Sequence, residues 1–249
     1  LVDGAEAGRT CLEQGGRAGV ISGPEWDRSA SRGALVDEAR WRQHRELVGE
    51  KILLSQVDGV NAVFLKVINE DEGRIRTDVV RLIKDGLIKQ SGLDWEGVLA
   101  DLNPGTVVVD ALPQQAAALE TLYRSRFSIL TGGAGTGKTT VLRAFVAGLR
   151  KLEPNHPVLL LAPTGKASVL LEARVGLEAE TVHRFLARLS WMRLNNFSLL
   201  RSGGERESNA RTIIIDESSM LDVTLLAATL RAINFDYVCL LYTSPSPRD

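Results

Sequence analysis

The stretch LTGGAGTGKTTVLRAF, Leu130 to Phe145, decides the fold of this chain. Within it, Gly132, Gly137, Lys138 and Thr139 satisfy the pattern G-x-x-x-x-G-K-[ST]. In this pattern the glycines let backbone N–H groups converge on phosphate oxygens, and the start of the following helix adds partial positive charge. A glycine-rich turn without function is the alternative. The apolar run before the loop and the helical periodicity after it favour the phosphate site.

The residues of this loop are predicted to bind ATP and Mg²⁺. Lys138 is expected to reach the β- and γ-phosphates, and the hydroxyl of Thr139 to hold Mg²⁺. The predicted nucleotide-binding residues form the loop and the first turn of the next helix, and they are Gly132, Gly133, Ala134, Gly135, Thr136, Gly137, Lys138, Thr139 and Thr140. That helix is predicted over residues 139–151. Its predicted buried side carries Val141, Leu142, Phe145, Val146 and Leu149.

A second part of the site is predicted in TIIIDESSM, Thr212 to Met220. The apolar run places Asp216 at the carboxyl end of a buried strand, the edge where α/β sheets bind ligands. We expect Asp216 to support the Mg²⁺ held by Thr139, and Glu217 to orient and deprotonate a water molecule that attacks the γ-phosphate. The predicted catalytic residues are thus Asp216, Glu217 and Lys138. The alternative is that the two acids cap the next helix.

Three uninterrupted apolar runs predict strands, at Phe127 to Leu130, Val158 to Ala162 and Thr212 to Ile215. Amphipathic helical stretches separate them, which indicates a mostly parallel sheet covered on both faces. The predicted fold class is therefore α/β, with a nucleotide-binding domain at residues 112–238.

Four segments resemble those of RecD-like helicases of superfamily 1. LPQQAAAL, Leu112 to Leu119, is similar to the family's Q-x-x-A element, and DESSMLD, Asp216 to Asp222, resembles its Walker B motif. The stretch Leu161 to Leu186 is similar to an A-P-T-G-K-A segment followed by a T-[IV]-H-R element. Together with the phosphate loop, these segments follow the family's order over residues 112–233. The resemblance implies a RecA-like P-loop NTPase domain, incomplete in this chain.

The resemblance also implies residues that contact the base and DNA. Gln115 corresponds to an adenine-sensing glutamine, whose amide can pair with the base edge. The residues implied to bind single-stranded DNA are Thr164, Gly165, Lys166, Thr181 and His183.

Without the resemblance, these segments have simpler interpretations. Thr164 caps the helix that follows a strand. Thr181 caps a helix with an apolar face formed by Val182, Phe185, Leu186 and Leu189, on which His183 and Arg184 remain polar.

The implied function is that of an ATP-dependent DNA helicase. Mg²⁺-ATP hydrolysis drives translocation along single-stranded DNA, 5′ to 3′ by family analogy, and unwinding of duplex DNA; subunits of a nuclease complex are further candidate partners. The second RecA-like domain and the arginine finger do not occur in this chain, so the chain alone is expected to hydrolyse ATP negligibly. Two rivals stay open: the helicase part of a conjugative relaxase, and a non-catalytic ATP-dependent DNA-binding module. Residues 1–111 lack the histidine cluster that a relaxase's nicking domain needs.

Composition limits the setting of this function. The net charge of −1 provides no global basic field, so any DNA contact has to be local. The two cysteines, Cys11 and Cys239, have no metal-type spacing and suit a reducing cytoplasm. No apolar run has transmembrane length, so we expect a cytoplasmic protein without a membrane partner.

The residues before the ATPase domain predict a small module. Residues 1–33 are expected to form a loop or a poorly ordered segment, and residues 34–111 a small, mainly helical module, with a winged-helix-like module as an alternative. Helices are predicted from Ala34 to about Leu53, after Thr77 with Val79, Val80, Ile83 and Leu87 on one side, and from Asp94 to Leu102. Thr106 to Val109 is predicted as a short strand. A packing role is favoured over DNA contact.

Two later segments interrupt the family pattern. The insert Trp191 to Asn209 is predicted as a flexible surface loop. Stacking on bases is one interpretation of Trp191, Met192 and Phe197, but packing beneath the insert is favoured. The tail CLLYTSPSPRD, residues 239–249, resembles the translation of a transposase-based sequencing adapter; a natural Ser-Pro-rich linker is the alternative. Its apolar start is expected to occupy the position of the strand that follows the Walker B helix, between the strands of the two nucleotide motifs.

Overall fold

The computed structural model describes residues 11–13, 49–57, 60–84, 90–102, 112–132, 136–193, 195–234 and 239–245. The chain divides into two compact units, Leu1–Ile75 and Arg76–Asp249. Within the described residues, none of the helices combines the length and the apolar character of a membrane span.

The first unit contains an antiparallel sheet that the sequence did not predict. Its strands are β1 (Cys11–Glu13), β2 (Ile52–Val57) and β3 (Val60–Leu65), in the order β1-β3-β2. The predicted helix from residue 34 to about 53 is wrong at its end, where β2 begins; residues 34–48 lie outside the described part. Asp58-Gly59 between two apolar runs is the sequence signal of a two-residue hairpin, and it explains why strands form there.

Helix α1 (Lys66–Lys84) begins in this unit, well before the predicted start after Thr77. Its buried residues are Asp71, Asp78 and Leu82, whereas Val80 and Ile83 are exposed. The predicted apolar face was therefore wrong, because the buried side includes two acidic residues that hydrophobic periodicity cannot identify. Leu87 lies outside the described residues.

Helix α2 (Trp95–Leu102) confirms the helix predicted at residues 94–102. Its cap is Asp94, whose Oδ1 accepts a hydrogen bond from the Gly97 amide at 3.0 Å. Trp95, Val98 and Leu99 of this helix are buried. The strand predicted at residues 106–109 falls outside the described part.

The second unit is built on a parallel sheet, which confirms the predicted α/β class. The strands are β4 (Phe127–Gly132), β5 (Val158–Ala162), β6 (Ala179–Thr181), β9 (Thr212–Ile215) and β10 (Cys239–Pro245). Their order is β4-β10-β9-β5-β6, and every neighbouring pair is parallel. The sequence predicted β5 and β9 with their observed bounds.

Helices connect these strands. They are α3 (Leu112–Arg124), α4 (Lys138–Leu152), α5 (Gly165–Val175), α6 (Val182–Arg188) and α7 (Val223–Ala232). The predicted apolar side of α4 is confirmed, because all five of its residues are buried. They join residues from α2, α3, β5 and β9 in one hydrophobic core. A short hairpin, β7 (Met192–Arg193) with β8 (Ser198–Leu199), lies in the insert.

Strand β10 lies between β4 and β9, as expected for the apolar start of residues 239–249. Residues 240–245 pair with Phe127–Gly132, and residues 239–242 pair with Thr212–Ile215. The adapter-like segment thus occupies the central position that the family pattern assigns to the strand after the Walker B helix.

Candidate functional site

The phosphate loop, the acidic pair and the two predicted DNA segments lie at the carboxyl ends of strands of one parallel sheet. Tyr242 pairs with both Ile129 and Ile215, and Ile215 also pairs with Leu161, so these residues lie at one level across the sheet. The ends of β4, β9 and β5 therefore meet at the same edge. Strands β4 and β9 are separated by two strand spacings, about 10 Å. This edge is where parallel α/β sheets bind ligands.

A glycine lies at each of the two described ends of the phosphate loop. Gly137 has a φ of +85°, a left-handed conformation that favours glycine, and helix α4 begins directly after it. A Cβ atom at Gly132 would lie 2.6 Å from Oγ1 of Thr136, so a larger residue there would force the Thr136 side chain to move. Gly133, Ala134 and Gly135 lie outside the described residues. The left-handed conformation at Gly137 and the restricted space at Gly132 both fall on glycines of the predicted pattern.

The Lys138 side chain folds back across this loop. Its Nζ donates a hydrogen bond to the carbonyl oxygen of Gly132 at 2.6 Å, and the side chain is half-buried. The ammonium group therefore lies beside the first residue of the loop. Thr139 and Thr140 occupy the first turn of α4, where backbone amides point out of the helix.

Gln115 lies next to the phosphate loop although it belongs to another helix. A Cβ atom built at Gly137 would be 3.1 Å from Nε2 of Gln115. Gln115 is in the first turn of α3 and is half-buried. The structure thus brings together the predicted glutamine and the end of the predicted loop.

Asp216 and Glu217 follow β9 at this edge. The Asp216 amide donates to the carbonyl oxygen of Leu161 at 2.9 Å, which extends the pairing of β9 with β5 by one residue. Glu217 has a φ of +51° and a ψ of +38°, a left-handed conformation that is uncommon outside glycine and costs about 1 kcal/mol or more. Such backbone outliers cluster at functional sites, which directs attention to Glu217.

The next α-helix, α7, is capped by another residue. The cap of α7 is Asp222, whose Oδ1 accepts a hydrogen bond from the Leu225 amide at 2.6 Å. Glu217 precedes a short 3₁₀ helix, Ser218–Met220, and its side chain makes no cap hydrogen bond there. The two predicted site acids are thus not used as caps of α7.

The oxygen donors at this edge fit Mg²⁺. Thr139 contributes a hydroxyl group and Asp216 a carboxylate, both hard oxygen ligands. No group of three or more His, Cys, Asp or Glu residues that could hold a metal occurs in the part of the chain that the structure describes. Mg²⁺ keeps several waters and also binds phosphate oxygens, so it needs few ligands from the protein.

The predicted DNA segment at Thr164 begins helix α5. Oγ1 of Thr164 accepts a hydrogen bond from the Ala167 amide at 3.2 Å, so the expected cap is confirmed. Thr164, Gly165 and Lys166 are all exposed. Capping occupies the hydroxyl as an acceptor, but the exposed Gly165 and Lys166 remain suitable for a phosphate group.

The second predicted DNA segment begins helix α6. Oγ1 of Thr181 accepts from the Arg184 amide at 3.1 Å, which confirms the N-cap. The predicted apolar face of this segment is buried and consists of Val182, Phe185, Leu186 and Leu189. His183 and Arg184 are exposed. Because Thr181 pairs with Ala162, this segment lies at the same sheet edge as Thr164.

The insert contains a short hairpin and buried side chains, whereas a flexible surface loop was predicted. Trp191 and Met192 are buried, and Nε1 of Trp191 donates to the carbonyl oxygen of Glu205 at 2.5 Å. A Cβ atom at Gly204 would meet the indole at 2.5 Å. The preferred packing role is therefore confirmed for Trp191 and Met192, whereas Phe197 is 65% exposed.

A charged cluster that the sequence did not predict connects the insert to α6. Nη2 of Arg188 donates to Glu180 at 2.8 Å and to Glu207 at 3.2 Å. Burial raises the pKa of Glu207, but the Asn209 amide and Arg188 outweigh this effect and hold the pKa below its usual value. The Glu180 carboxylate raises the pKa of Arg188. Residues 19 positions apart form this contact, so local patterns could not identify it.

Comparison with known proteins identifies similar chains. A model of the AAA domain family matches residues 114–242. The RecBCD enzyme subunit RecD of Mycolicibacterium smegmatis is 29% identical over 188 residues, which cover 64% of this chain and 33% of that protein. The ATP-dependent RecD2 DNA helicase of Deinococcus radiodurans is 36% identical over 120 residues, covering 48% of this chain and 16% of that protein.

Two further matches show the same partial coverage. An uncharacterized protein of Methanocaldococcus jannaschii is 32% identical over 133 residues, which cover 51% of this chain and 11% of that protein. The crystal structure of Pif1 helicase from Candida albicans is 29% identical and covers 53% of this chain and 31% of that chain, with a TM-score of 0.36. The chain therefore spans about a third or less of the length of these relatives.

Proposed function

Because this chain belongs to the AAA domain family and to the RecD-like group of superfamily 1 helicases, we propose that it is the first motor domain of an ATP-dependent DNA helicase. The longer protein would couple Mg²⁺-ATP hydrolysis to translocation along single-stranded DNA, in the 5′ to 3′ direction, and to duplex unwinding. Subunits of a nuclease complex are candidate partners, since the similar protein of Mycolicibacterium smegmatis is named as a RecBCD subunit.

One observation carries this proposal. The phosphate loop, the acidic pair and the two threonine-capped segments all follow strands that end at one edge of the parallel sheet. A nucleotide and a DNA strand bound at that edge would contact adjacent loops of one domain. Small changes at the nucleotide could therefore alter the grip on DNA, which a translocating motor requires.

At the nucleotide, each residue has a proposed task. The amides at the start of α4 and the ammonium group of Lys138 bind the phosphates, and Thr139 and Asp216 hold Mg²⁺, which neutralises phosphate charge when bound. Glu217 orients the attacking water and accepts its proton. Gln115 contacts the adenine base.

At the DNA, the exposed residues of two segments supply the grip. Gly165 and Lys166 at the start of α5 contact the sugar-phosphate backbone, and Thr164 shapes the turn that presents them. His183 contacts DNA from α6, beside its capping residue Thr181. These contacts are local, as expected for a chain with a net charge of only −1.

A Glu217→Gln variant of the longer protein tests the motor proposal. We expect it to bind Mg²⁺-ATP with unchanged affinity but to lose DNA-stimulated hydrolysis and unwinding by a factor of about 100 or more, because the general base is gone. Glu178→Gln is the matched control, since Glu178 is an exposed glutamate outside the site. The measurements are equilibrium ATP binding, phosphate release and strand separation.

The outcomes separate the candidate functions. Unwinding by Glu217→Gln at the wild-type rate would refute the proposed role of this residue. A wild-type protein that binds ATP and DNA without DNA-stimulated hydrolysis would instead be a non-catalytic ATP-dependent DNA-binding module. We further propose that the 249-residue chain alone hydrolyses ATP negligibly, which phosphate release by the purified chain in the presence of DNA would test.

A further inference from the structure

Helix α2 packs against both helices that meet at the phosphate loop. It contacts α3 and α4. The indole of Trp95 stacks on Phe145 of α4 at 6.3 Å between ring centroids and contacts Tyr123 of α3 at 6.4 Å. The ring also covers Gly148, where any Cβ atom would overlap it at 2.0 Å. Trp95 therefore fills the space between the two helices.

The same tryptophan is fixed by a polar cluster on α3. Nε1 of Trp95 donates to Oε2 of Glu120 at 2.8 Å and to Oγ of Ser91 at 3.1 Å. The Ser91 amide donates to Oε1 of Glu120 at 3.0 Å, and the Ser91 hydroxyl donates to Oε2. Both carboxylate oxygens of Glu120 thus accept hydrogen bonds from the segment that contains α2.

The charge of Glu120 strengthens this cluster. Burial raises the pKa of Glu120, but the hydrogen bonds from Ser91 and Trp95 and the charge of Arg124 outweigh it and keep the pKa below its usual value. Hydrogen bonds to an ionised acceptor are stronger than those between neutral groups. The cluster therefore holds α3 firmly to Trp95, and Trp95 is held to α4 by its ring.

The ends of α3 and α4 that lie beyond this contact form the nucleotide site. Gln115 in the first turn of α3 meets Gly137, which precedes the first residue of α4. The distance between the amide of Gln115 and the phosphate loop depends on how α3 and α4 are spaced. Both helices pack on each other and on Trp95, so the contact with Trp95 contributes to that spacing.

We propose that Trp95 and Glu120 are positioning residues that hold the Gln115 amide at the phosphate loop and thereby govern recognition of the nucleotide base. The inference rests on the proposed function, since it assigns Gln115 to a bound nucleotide. Phosphate binding depends on the loop itself and on Lys138. The cluster should accordingly affect ligands that carry a base and leave base-free phosphate ligands unaffected.

Removal of one hydrogen-bond donor tests whether the cluster affects ligands with a base and leaves base-free phosphate ligands unaffected. Trp95→Phe keeps an aromatic side chain at this position but lacks the indole N–H and the part of the indole that covers Gly148. We expect the Kd of the 249-residue chain for Mg²⁺-ATP to rise about threefold to tenfold, the range expected when base hydrogen bonds are weakened. The Kd for Mg²⁺-tripolyphosphate, which has no base, should change by less than about twofold. Both constants are measured by isothermal titration calorimetry.

The chain offers a matched control and a second variant. Trp191→Phe removes the hydrogen bond from an indole N–H to the carbonyl oxygen of Glu205, which lies in the insert. This variant should change neither the Kd for Mg²⁺-ATP nor the Kd for Mg²⁺-tripolyphosphate. Ser91→Ala serves as the second variant if Trp95→Phe does not fold, because it removes the hydroxyl that donates to the Glu120 carboxylate. It should give the same selective loss of affinity for Mg²⁺-ATP. In a Gln115→Ala background, Trp95→Phe should weaken ATP binding no further, because the positioned amide is absent.

The results distinguish this inference from the motor proposal. Equal weakening of ATP and tripolyphosphate binding, or unchanged ATP binding in both variants, would overturn the positioning role and leave the cluster as packing only. Selective loss of ATP affinity supports it. A wild-type chain that binds neither ligand would contradict the proposed nucleotide site itself, and the inference would fall with it.

Discussion

Substitution of Gly148 by alanine should destabilise the ATPase domain, although alanine normally favours a helix. Gly148 lies inside α4, and an added Cβ atom would be 2.0 Å from Cζ3 and 2.5 Å from Cη2 of Trp95. These distances are far below van der Waals contact, so either the indole or the helix must move. Trp95 is itself buried and hydrogen-bonded to Glu120, which restricts that movement.

The expected magnitude follows from two opposing effects. Replacing glycine by alanine in a helix interior stabilises by about 0.5–1 kcal/mol. Overpacking a close-packed core costs about 1–3 kcal/mol. The expected result is a net loss of about 1–2 kcal/mol, and for a domain of this size each kcal/mol lowers Tm by about 2–4 °C.

Urea and thermal unfolding followed by far-ultraviolet circular dichroism measure this change. Gly73→Ala is the control, because Gly73 also lies inside a helix but has no heavy atom within 4 Å of an added Cβ. It should stabilise its own unit by about 0.5–1 kcal/mol. A Gly148→Ala chain as stable as the wild type, or more stable, would refute the close packing of Trp95 on α4.

Two further predictions concern side chains around α6 and α7. Asp222→Ala removes the cap hydrogen bond to the Leu225 amide and should cost about 1 kcal/mol in unfolding free energy, measured in urea at neutral pH, whereas Asp222→Asn should retain most of it. In the folded chain, the pKa of Glu207 is held below its usual value of 4.5. The ionised carboxylate therefore stabilises the fold above pH 4.5, and this stabilisation is lost as the pH falls through the lower pKa of the folded state. The urea midpoint of the wild type should therefore fall more steeply than that of Glu207→Gln between about pH 5 and pH 3. Parallel slopes would contradict the stabilisation of the Glu207 carboxylate by the Asn209 amide and Arg188.

Much of the ATPase domain was predictable because its signals are local. Continuous apolar runs identified β5 and β9 with their observed bounds, and the 3.6-residue periodicity identified the buried side of α4. Thr164 and Thr181 were recognisable as N-caps from residue type and position alone. In each case one short segment contained all the information that the prediction needed.

Other features could not be predicted because they depend on distant residues or on conformation. Glu120 and Trp95 are 25 positions apart, and the sequence shows no pattern that would pair them. The left-handed conformation of Glu217 has no residue-type signal, since glutamate rarely adopts it. The start of α1 was misplaced because Asp71 and Asp78 are buried, against the usual preference of acidic residues for the surface.

The central claim is that Asp216 and the phosphate loop share one Mg²⁺-nucleotide pocket. Strands β4 and β9 are aligned through β10, which pairs with both of them. A binding measurement tests directly whether Asp216 and the phosphate loop form one pocket. The decisive measurement is the affinity of the chain for ATP with and without Mg²⁺, compared among the wild type, Asp216→Asn and the cap variant Asp222→Asn. We predict that Mg²⁺ tightens ATP binding by the wild type and by Asp222→Asn, and that Asp216→Asn loses most of this gain. If Asp216→Asn kept the full Mg²⁺-dependent gain, the carboxylate would not face the phosphate loop and the account would be contradicted.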